Sequence, residues 1–303
     1  MGFDAPLVHH FNTNILGGCY DTAGRLTETY RTFCLERGIE FHEVKSVRPH
    51  DNTTLFCPAG MQQFKEDYRG HRRGTVSNIQ SCIRLNDLDE IGDQTHHLTF
   101  DMIGLFSFRD MSVLETIDFW FEFLSKIGIK PDVVTIHPDK MLDWRELYRG
   151  RDVEIRPDPE CTWSDGGMGG YCTEFYVRGV EIGNIVNTNG DSIDVGFGME
   201  RLLWVLGEET PPRGDILVRT IDRIVESGYR PSGKQQGHVL RRLIGLLTDE
   251  GSHPNHPEVV SETSRRVKLS ERFDRLWPKH QDKSPEWWLD THGIVVSEMV
   301  LRV

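Results

Sequence analysis

From residue 171 to Gly196 the chain carries three strand-like segments, 171–177, 181–187 and a third ending at that glycine, joined by turns of only a few residues. Parallel neighbours need a crossover of a dozen or more residues, so connections this short require antiparallel pairing. That excludes a run of βαβ units through the centre of the chain. It also fixes which residues share a face, because side chains alternate along a strand.

The segments before the centre fit the same sheet. Helical spacing of Leu26, Tyr30, Phe33 and Cys34 predicts a helix behind a cap at Asp21-Thr22, ending near Gly38. Residues 40–47 alternate as a strand, and Pro58 sits well for the first turn of a short helix through Tyr68. Residues 77–84 and 95–106 read as strands around the polar loop 86–90. Asp110 is placed to cap a helix burying Leu114, Ile117, Phe121 and Leu124. A strand at 132–137, a helix at 140–148, a glycine-rich loop at 161–170 and a helix from Gly198 to Leu206 complete this part.

Beyond Gly214 the pattern becomes helical: 216–227, 238–249, 258–277 and a last piece around 287–301, with breaks at Pro211-Pro212 and at 251–257. The expectation is an α/β (α+β) unit, residues 1–210, with an antiparallel sheet flanked by helices. Residues 211–303 form a small helical appendage.

No apolar run approaches the roughly 18 residues that cross a bilayer. The start, Met1-Gly2-Phe3-Asp4, lacks the basic and apolar stretches of a secretory signal, and Pro6 breaks the myristoylation pattern. A cytoplasmic chain without membrane partners is expected. The six cysteines, Cys19, Cys34, Cys57, Cys82, Cys161 and Cys172, form no C-x-x-C pair, so reduced buried thiols are expected and no metal cage is readable. A net charge of −12 denies the chain a general attraction to phosphate backbones.

Two motifs carry chemistry. In Asp194-Val195-Gly196-Phe197-Gly198-Met199-Glu200-Arg201 a strand enters a helix through two glycines, where a ligand can approach the backbone and an arginine can reach back to a phosphate. The plain alternative is a tight strand–helix turn with an exposed arginine. In the second motif Arg84 ends an apolar strand, and Phe100 lies on the next one within His96-His97-Leu98-Thr99-Phe100-Asp101-Met102. A fixed guanidinium could grip a phosphate in two parallel hydrogen bonds beside a flat surface for a base. The plain alternative is a buried Arg84–Asp101 ion pair.

In order and context these motifs resemble motifs two and three of the class II aminoacyl-tRNA synthetases, and the intervening sequence is similar to the alanyl-tRNA synthetases. Leu55-Phe56-Cys57-Pro58-Ala59-Gly60-Met61-Gln62-Gln63-Phe64-Lys65 resembles that family's first motif. His96 to Phe108, Cys172-Thr173-Glu174, Glu181 to Val186, Ser192 to Leu202, Gly237 to Arg242 and Asp290-Thr291-His292-Gly293 follow in family order. The resemblance spans residues 22–303 with gaps. It implies the class II antiparallel sheet, ATP and Mg2+, and activation of alanine or a similar small amino acid as an aminoacyl-adenylate. It implies that Arg84 holds the α-phosphate as the catalytic cation, Arg201 the γ-phosphate, that Phe100 stacks on adenine and that Gly198 lies against the nucleotide. Glu174 would serve the Mg2+ or the ribose. Asp194 would pair with the substrate ammonium beside Asn184, Met61 and Trp163 would close a methyl-sized pocket, and Gly196 would admit the substrate backbone. His96 or His97 would touch the γ-phosphate or be structural.

The chain also departs from the family. The loop after Arg84 is short and lacks the family's basic residue, and the glycine-rich loop after Trp163 is shortened. The positions that read the acceptor-stem G·U pair fall on Gln235, Leu246 and Ser297, and no editing or C-terminal domain is expected. The expectation is therefore transfer to an acceptor other than standard tRNA: a carrier-protein thiol, a small molecule or an unusual RNA. A minimal alanyl-tRNA synthetase and a non-catalytic aminoacyl-ligand-binding paralogue are the alternatives. A homodimer is the expected assembly.

Overall fold

The computed structural model describes residues 22–93, 95–165, 167–249, 257–292, 294 and 296. Cys19, Asp21, Gly293 and Ser297 lie outside the described residues. The chain divides into two units between Pro212 and Arg213.

In the first unit the strands are β1 (Glu40–Val44), β2 (Gly74–Ile83), β3 (Thr99–Phe108), β4 (Val133–Ile136), β5 (Glu154–Pro157), β6 (Thr162–Asp165), β7 (Met168–Val177), β8 (Val180–Thr188) and β9 (Ser192–Gly198). They form a mixed, mostly antiparallel sheet in the order β1-β2-β3-β9-β8-β7-β4-β5, with β6 paired to β7. Only the edge pairs β1–β2 and β4–β5 are parallel. The helices are α1 (Thr22–Leu35), α2 (Lys65–Arg69, preceded by a 3-10 turn at Gly60–Phe64), α3 (Val113–Lys126), α4 (Met141–Trp144) and α5 (Met199–Val205).

One face of the sheet is closed by α1 and α3. Tyr30, Phe33, Trp120, Phe123 and Leu124 from these helices pack with Ile103, Leu105, Ile185, Val195 and Phe197 from the central strands. Trp120 lies flat on Phe197, with ring centroids 4.0 Å apart and planes 12° apart. Tyr30 donates to the Gly104 carbonyl at 2.9 Å, fixing α1 to β3. On the opposite face, the segment 60–69 covers one end: Met61, Phe64 and Tyr68 pack on Val76, Phe106 and Phe108. The β6–β7 hairpin carries Cys161 and Trp163 against Cys172 and Val186, and among the described residues the rest of that face lines a cavity.

Several local expectations are revised. Ser112, not Asp110, caps α3 through a reciprocal capping box with Glu115; the Asp110 carboxylate instead accepts from Thr75. Ile117 and Leu124 are buried as expected and are joined by Phe119, Trp120 and Phe123, whereas Leu114 is 42% exposed and Phe121 only partly buried. The glycine-rich stretch is a β-hairpin, because Thr162–Asp165 pairs with the first residues of β7. Its glycines serve close packing: a Cβ on Gly170 would lie 1.9 Å from the Asn187 carbonyl oxygen. The predicted helix 140–148 is α4 followed by a 3-10 turn, and β5 carried no legible pattern.

The second unit contains α6 (Arg213–Glu226), α7 (Gln235–Asp249), α8 (Pro257–Leu276) and α9 (Pro285–His292). Ile216, Leu217, Ile221 and Ile224 of α6 are buried, as are Leu240, Leu243, Ile244 and Leu247 of α7. Glu262, 4% exposed, is held by Arg241 and Arg265. Phe273, Trp288 and Ile294 form a separate aromatic cluster with Trp277 and Trp287. Among the described residues no helix is long and apolar enough to cross a membrane.

Trp120 fills the space behind the central strands, so Trp120→Ala is expected to destabilise the chain by about 3–5 kcal/mol. Chemical denaturation followed by circular dichroism measures this, and a loss below ~1 kcal/mol would show that the stack on Phe197 does not hold the sheet.

Candidate active site

Because side chains alternate, the residues of β3, β7, β8 and β9 that do not enter the core point together onto the open face. Register aligns Met102 with Gly198 and Gly104 with Gly196. It aligns Asn184 with Gly196 and Val186 with Asp194. It places Cys172 opposite Val186 and Glu174 opposite Asn184. These residues floor a cavity of about 640 Å3, walled by Pro58, Ala59 and Gln62 on one side and by Trp163, Ser164 and Asp165 on another. This volume lies within the roughly 300–1,000 Å3 of small-molecule sites.

The glycines make room at the floor. A Cβ on Gly196 would lie 2.9 Å from Met102 Sδ, and one on Gly104 would meet the Phe106 ring at 2.3 Å. A Cβ on Gly198 would make only ordinary contact with Arg201, so its openness is not forced by packing. Met102 is fixed in turn by the Gly60 N–H, which approaches its sulfur at 3.3 Å.

Asp194 stands where the apolar cover of segment 60–69 meets the open cavity, opposite Phe106. It is 8% exposed. Among the described residues no side chain or backbone N–H donates to its carboxylate. Burial, and then the nearby charge of Asp165, push its pKa up to about 7. A carboxylate in this position is a binding site for a cation. Asp165 does not share that need. It accepts from Gln62 at 2.9 Å and pairs with Lys65 at 2.9 Å, which also bridges to Asp51 at 2.8 Å. This clip ties the β6–β7 hairpin to α2 and holds Trp163 over the cavity.

At the other end, Arg84 lies just beyond β2 and is exposed, rather than buried in a strand as the sequence implied. Its Nε donates to the Pro58 carbonyl at 3.1 Å, and its guanidinium sits 5.0 Å from the Phe100 ring centroid. Asp101 accepts from Ser81 at 2.6 Å. Arg201 donates from Nη1 to both the carbonyl and the carboxylate of Glu181 at 2.9 Å. Glu200 accepts the Asp101 N–H, joining the start of α5 to β3. His96 lies between Asp93 and Glu90, and both His96 and His97 line the cavity.

The cavity therefore brings together Arg84, Phe100, Trp163, Glu174, Asn184, Asp194, Gly196, Gly198 and Arg201. Met61 is not among its lining residues. It is 1% exposed in the apolar cluster beneath, because the turn 60–64 sends Met61 and Phe64 inward and presents Gln62. Met102 lines the cavity in its place; its alternation with Phe100 along β3 was the available signal. Glu181 and Asp165 were also missed, and only their three-dimensional partners reveal them.

Glu174 accepts from Tyr176 at 2.7 Å and Thr135 at 3.2 Å, and its carboxylate lies within 4.8 Å of the sulfurs of Cys161 and Cys172. Magnesium takes hard oxygen donors in a near-octahedral set. This sulfur-rich corner does not fit it, so no Mg2+ role is assigned to Glu174.

The family described as tRNA synthetases class II (A) matches residues 25–206. Similar proteins include the alanine–tRNA ligase of Psychromonas ingrahamii, 29% identical over 76% of this chain and 36% of the ligase. That of Francisella philomiragia is 31% identical over 67% and 32%, and that of Desulfitobacterium hafniense 27% over 74% and 34%. The chain spans about a third of the length of these ligases. A crystal structure of pyrrolysyl-tRNA synthetase from Desulfitobacterium hafniense aligns with a TM-score of 0.38 and 14% identity over 61% of this chain and 69% of that one. The chain belongs to the class II tRNA synthetases.

Asp194 supplies a stability test. Its folded pKa, about 7, lies above the roughly 3.9 of an unfolded aspartate, so its contribution is present below pH 4 and is lost as pH rises through 7. Asp194→Asn should therefore raise the ligand-free melting temperature at pH 8 and leave it nearly unchanged at pH 4. Equal effects at both values would contradict the burial argument.

Proposed function

We propose that this class II synthetase activates alanine, or a similarly small amino acid, with ATP as an aminoacyl-adenylate and passes it to an acceptor other than standard tRNA. One observation carries the reading: the undonated carboxylate of Asp194 on a glycine-lined floor, with Arg84, Phe100 and Arg201 along the same sheet face. An α-amino acid supplies the missing cation, and Trp163 and Met102 leave space for a small side chain.

In this reading the ammonium group enters beside Asp194 and Asn184 and displaces the carboxyl proton of Asp194 to solvent. The substrate carboxylate then lies toward Arg84. Its oxygen attacks the α-phosphorus, the bond to the bridging oxygen breaks, and pyrophosphate leaves. Arg84 offsets the charge that gathers on the α-phosphoryl oxygens, the main help a protein gives such a transfer. Arg201 exchanges part of its pairing with Glu181 for the terminal phosphate. Adenine stacks on Phe100 opposite or in place of the guanidinium. Mg2+ is an expected companion of the nucleotide, with no residue of this chain assigned to it.

Residues 1–210 are the activating domain and 211–303 a reduced helical domain. The acceptor assignment rests on the second. Gln235 opens α7 and Leu246 is half-buried on it, in place of the asparagine and arginine that the resemblance implies for reading a G·U pair. Ser297 lies outside the described residues. The alternative of a minimal alanine–tRNA ligase is favoured by the names of the similar proteins. A cytoplasmic location and a homodimer complete the proposal.

Alanine-dependent exchange of pyrophosphate into ATP is expected, with weaker exchange for glycine and serine; no exchange with any small amino acid would remove the activation reading. Arg84→Ala should lower kcat by at least ~100-fold with an unchanged melting temperature. The KM for alanine should fall roughly tenfold between pH 6 and 8 as Asp194 ionises, a dependence that Asp194→Asn abolishes. Charging of alanine tRNA as fast as activation would favour the minimal ligase instead.

A further inference from the structure

Glu174 and its neighbours stay unexplained by the amino-acid and nucleotide contacts. Cys172 and Glu174 are two apart on β7 and so share a face, and both line the cavity. Cys161 precedes β6, and its carbonyl accepts the Cys172 N–H at 2.9 Å, which brings the two thiols together across the hairpin. The two sulfurs and a carboxylate oxygen of Glu174 all lie within 4.8 Å of one another. Cys161 and Cys172 are 0% and 1% exposed.

We infer that Cys161, Cys172 and Glu174 form a binding site for a thiophilic divalent cation, zinc by preference, in the wall of the cavity. Tetrahedral zinc with two sulfurs and one oxygen separates its ligand atoms by about 3.5–3.8 Å, and the three atoms here already lie within 4.8 Å of one another. Two thiolates and one carboxylate select zinc over magnesium or calcium. Supporting groups are in place: the Thr135 hydroxyl lies 2.8 Å from Cys161 Sγ and donates to Glu174, and the Tyr176 hydroxyl donates to Glu174 as well.

The local electrostatics ask for a positive charge. Among the described residues no basic side chain pairs with Glu174. Burial raises its pKa, and the acidic neighbours Glu181 and Asp158 add to that effect. Cys172 is raised chiefly by Cys161 and by burial, with Glu174 and Glu181 contributing. Binding releases the two thiol protons to solvent, and the cation's two charges offset the two sulfurs. Cys172 and Glu174 line the cavity, so a fourth ligand, water or a donor atom of a bound molecule, would enter from that side. The inference is independent of alanine activation, since it needs only these three side chains.

Cobalt titration of the reduced full-length protein tests it. One equivalent should bind with a thiolate-to-cobalt charge-transfer band in the near ultraviolet, and stoichiometric zinc should bleach the band. Cys161→Ser and Cys172→Ser should each lose band and uptake, and Glu174→Gln, which keeps the side-chain shape, should shift the band and weaken uptake. Cys57→Ser, which removes one member of the hydrogen-bonded Cys57–Cys82 thiol pair elsewhere in the unit, should leave both intact. A wild-type protein without the band, a band unaffected by all three site variants, or thiol titration showing a Cys161–Cys172 disulfide in place of metal uptake would each overturn the inference.

Discussion

Phe197 lies flat on Trp120, and that contact decides which way the central strands face. Once Phe197, Val195 and Ile193 are committed to the helices behind the sheet, alternation sends Gly198, Gly196 and Asp194 to the front. The same applies to Ile103 and Leu105 against Met102 and Phe100. A register slip of one residue would bury the charged set and expose the aromatic one, so core packing and site geometry are a single constraint. The candidate site is the uncommitted face of a sheet whose other face is filled.

What that face lacks is charge balance. Among the described residues Asp194 is buried without a donor, Glu174 sits with two thiols, and Glu181 has Arg201 as its counter-ion. Lys65 is spent on Asp51 and Asp165. Two cation-deficient places thus lie on one floor, separated by Asn184 and Val186. In the reading offered, a substrate ammonium satisfies the first and a metal ion the second. Arg84 is exposed, with its Nε on the Pro58 carbonyl, and in the same reading meets the incoming anion.

The strand segments were legible because their apolar alternation survives at Ile103, Leu105, Val195 and Phe197, and the segment from Asp194 to Arg201 was legible because two glycines break it where a helix begins. Met61 came from the resemblance, which carries a position but not a side-chain direction, and the 3-10 turn of five residues turns it inward. Asp110 and Ser112 both fit a capping position, and only the reach of Glu115 separates them. The hairpin carrying Trp163 read as a loop because its glycines are there for backbone contact, which leaves no hydrophobic pattern. The convergence of Cys161 with Cys172 was hidden for a similar reason: the C-x-x-C spacing that betrays a metal site is replaced here by pairing across strands.

In the proposed function Asp194, with its pKa pushed up to about 7, gives up its proton to receive an ammonium group. Calorimetric titration with a non-hydrolysable alanyl-adenylate analogue, repeated at pH 6 in buffers of different ionisation enthalpy, measures the protons exchanged on binding. About one proton should be released at pH 6, fading above pH 8, with none released from Asp194→Asn. Binding at pH 6 with no proton released, or with a proton taken up, would contradict that reading.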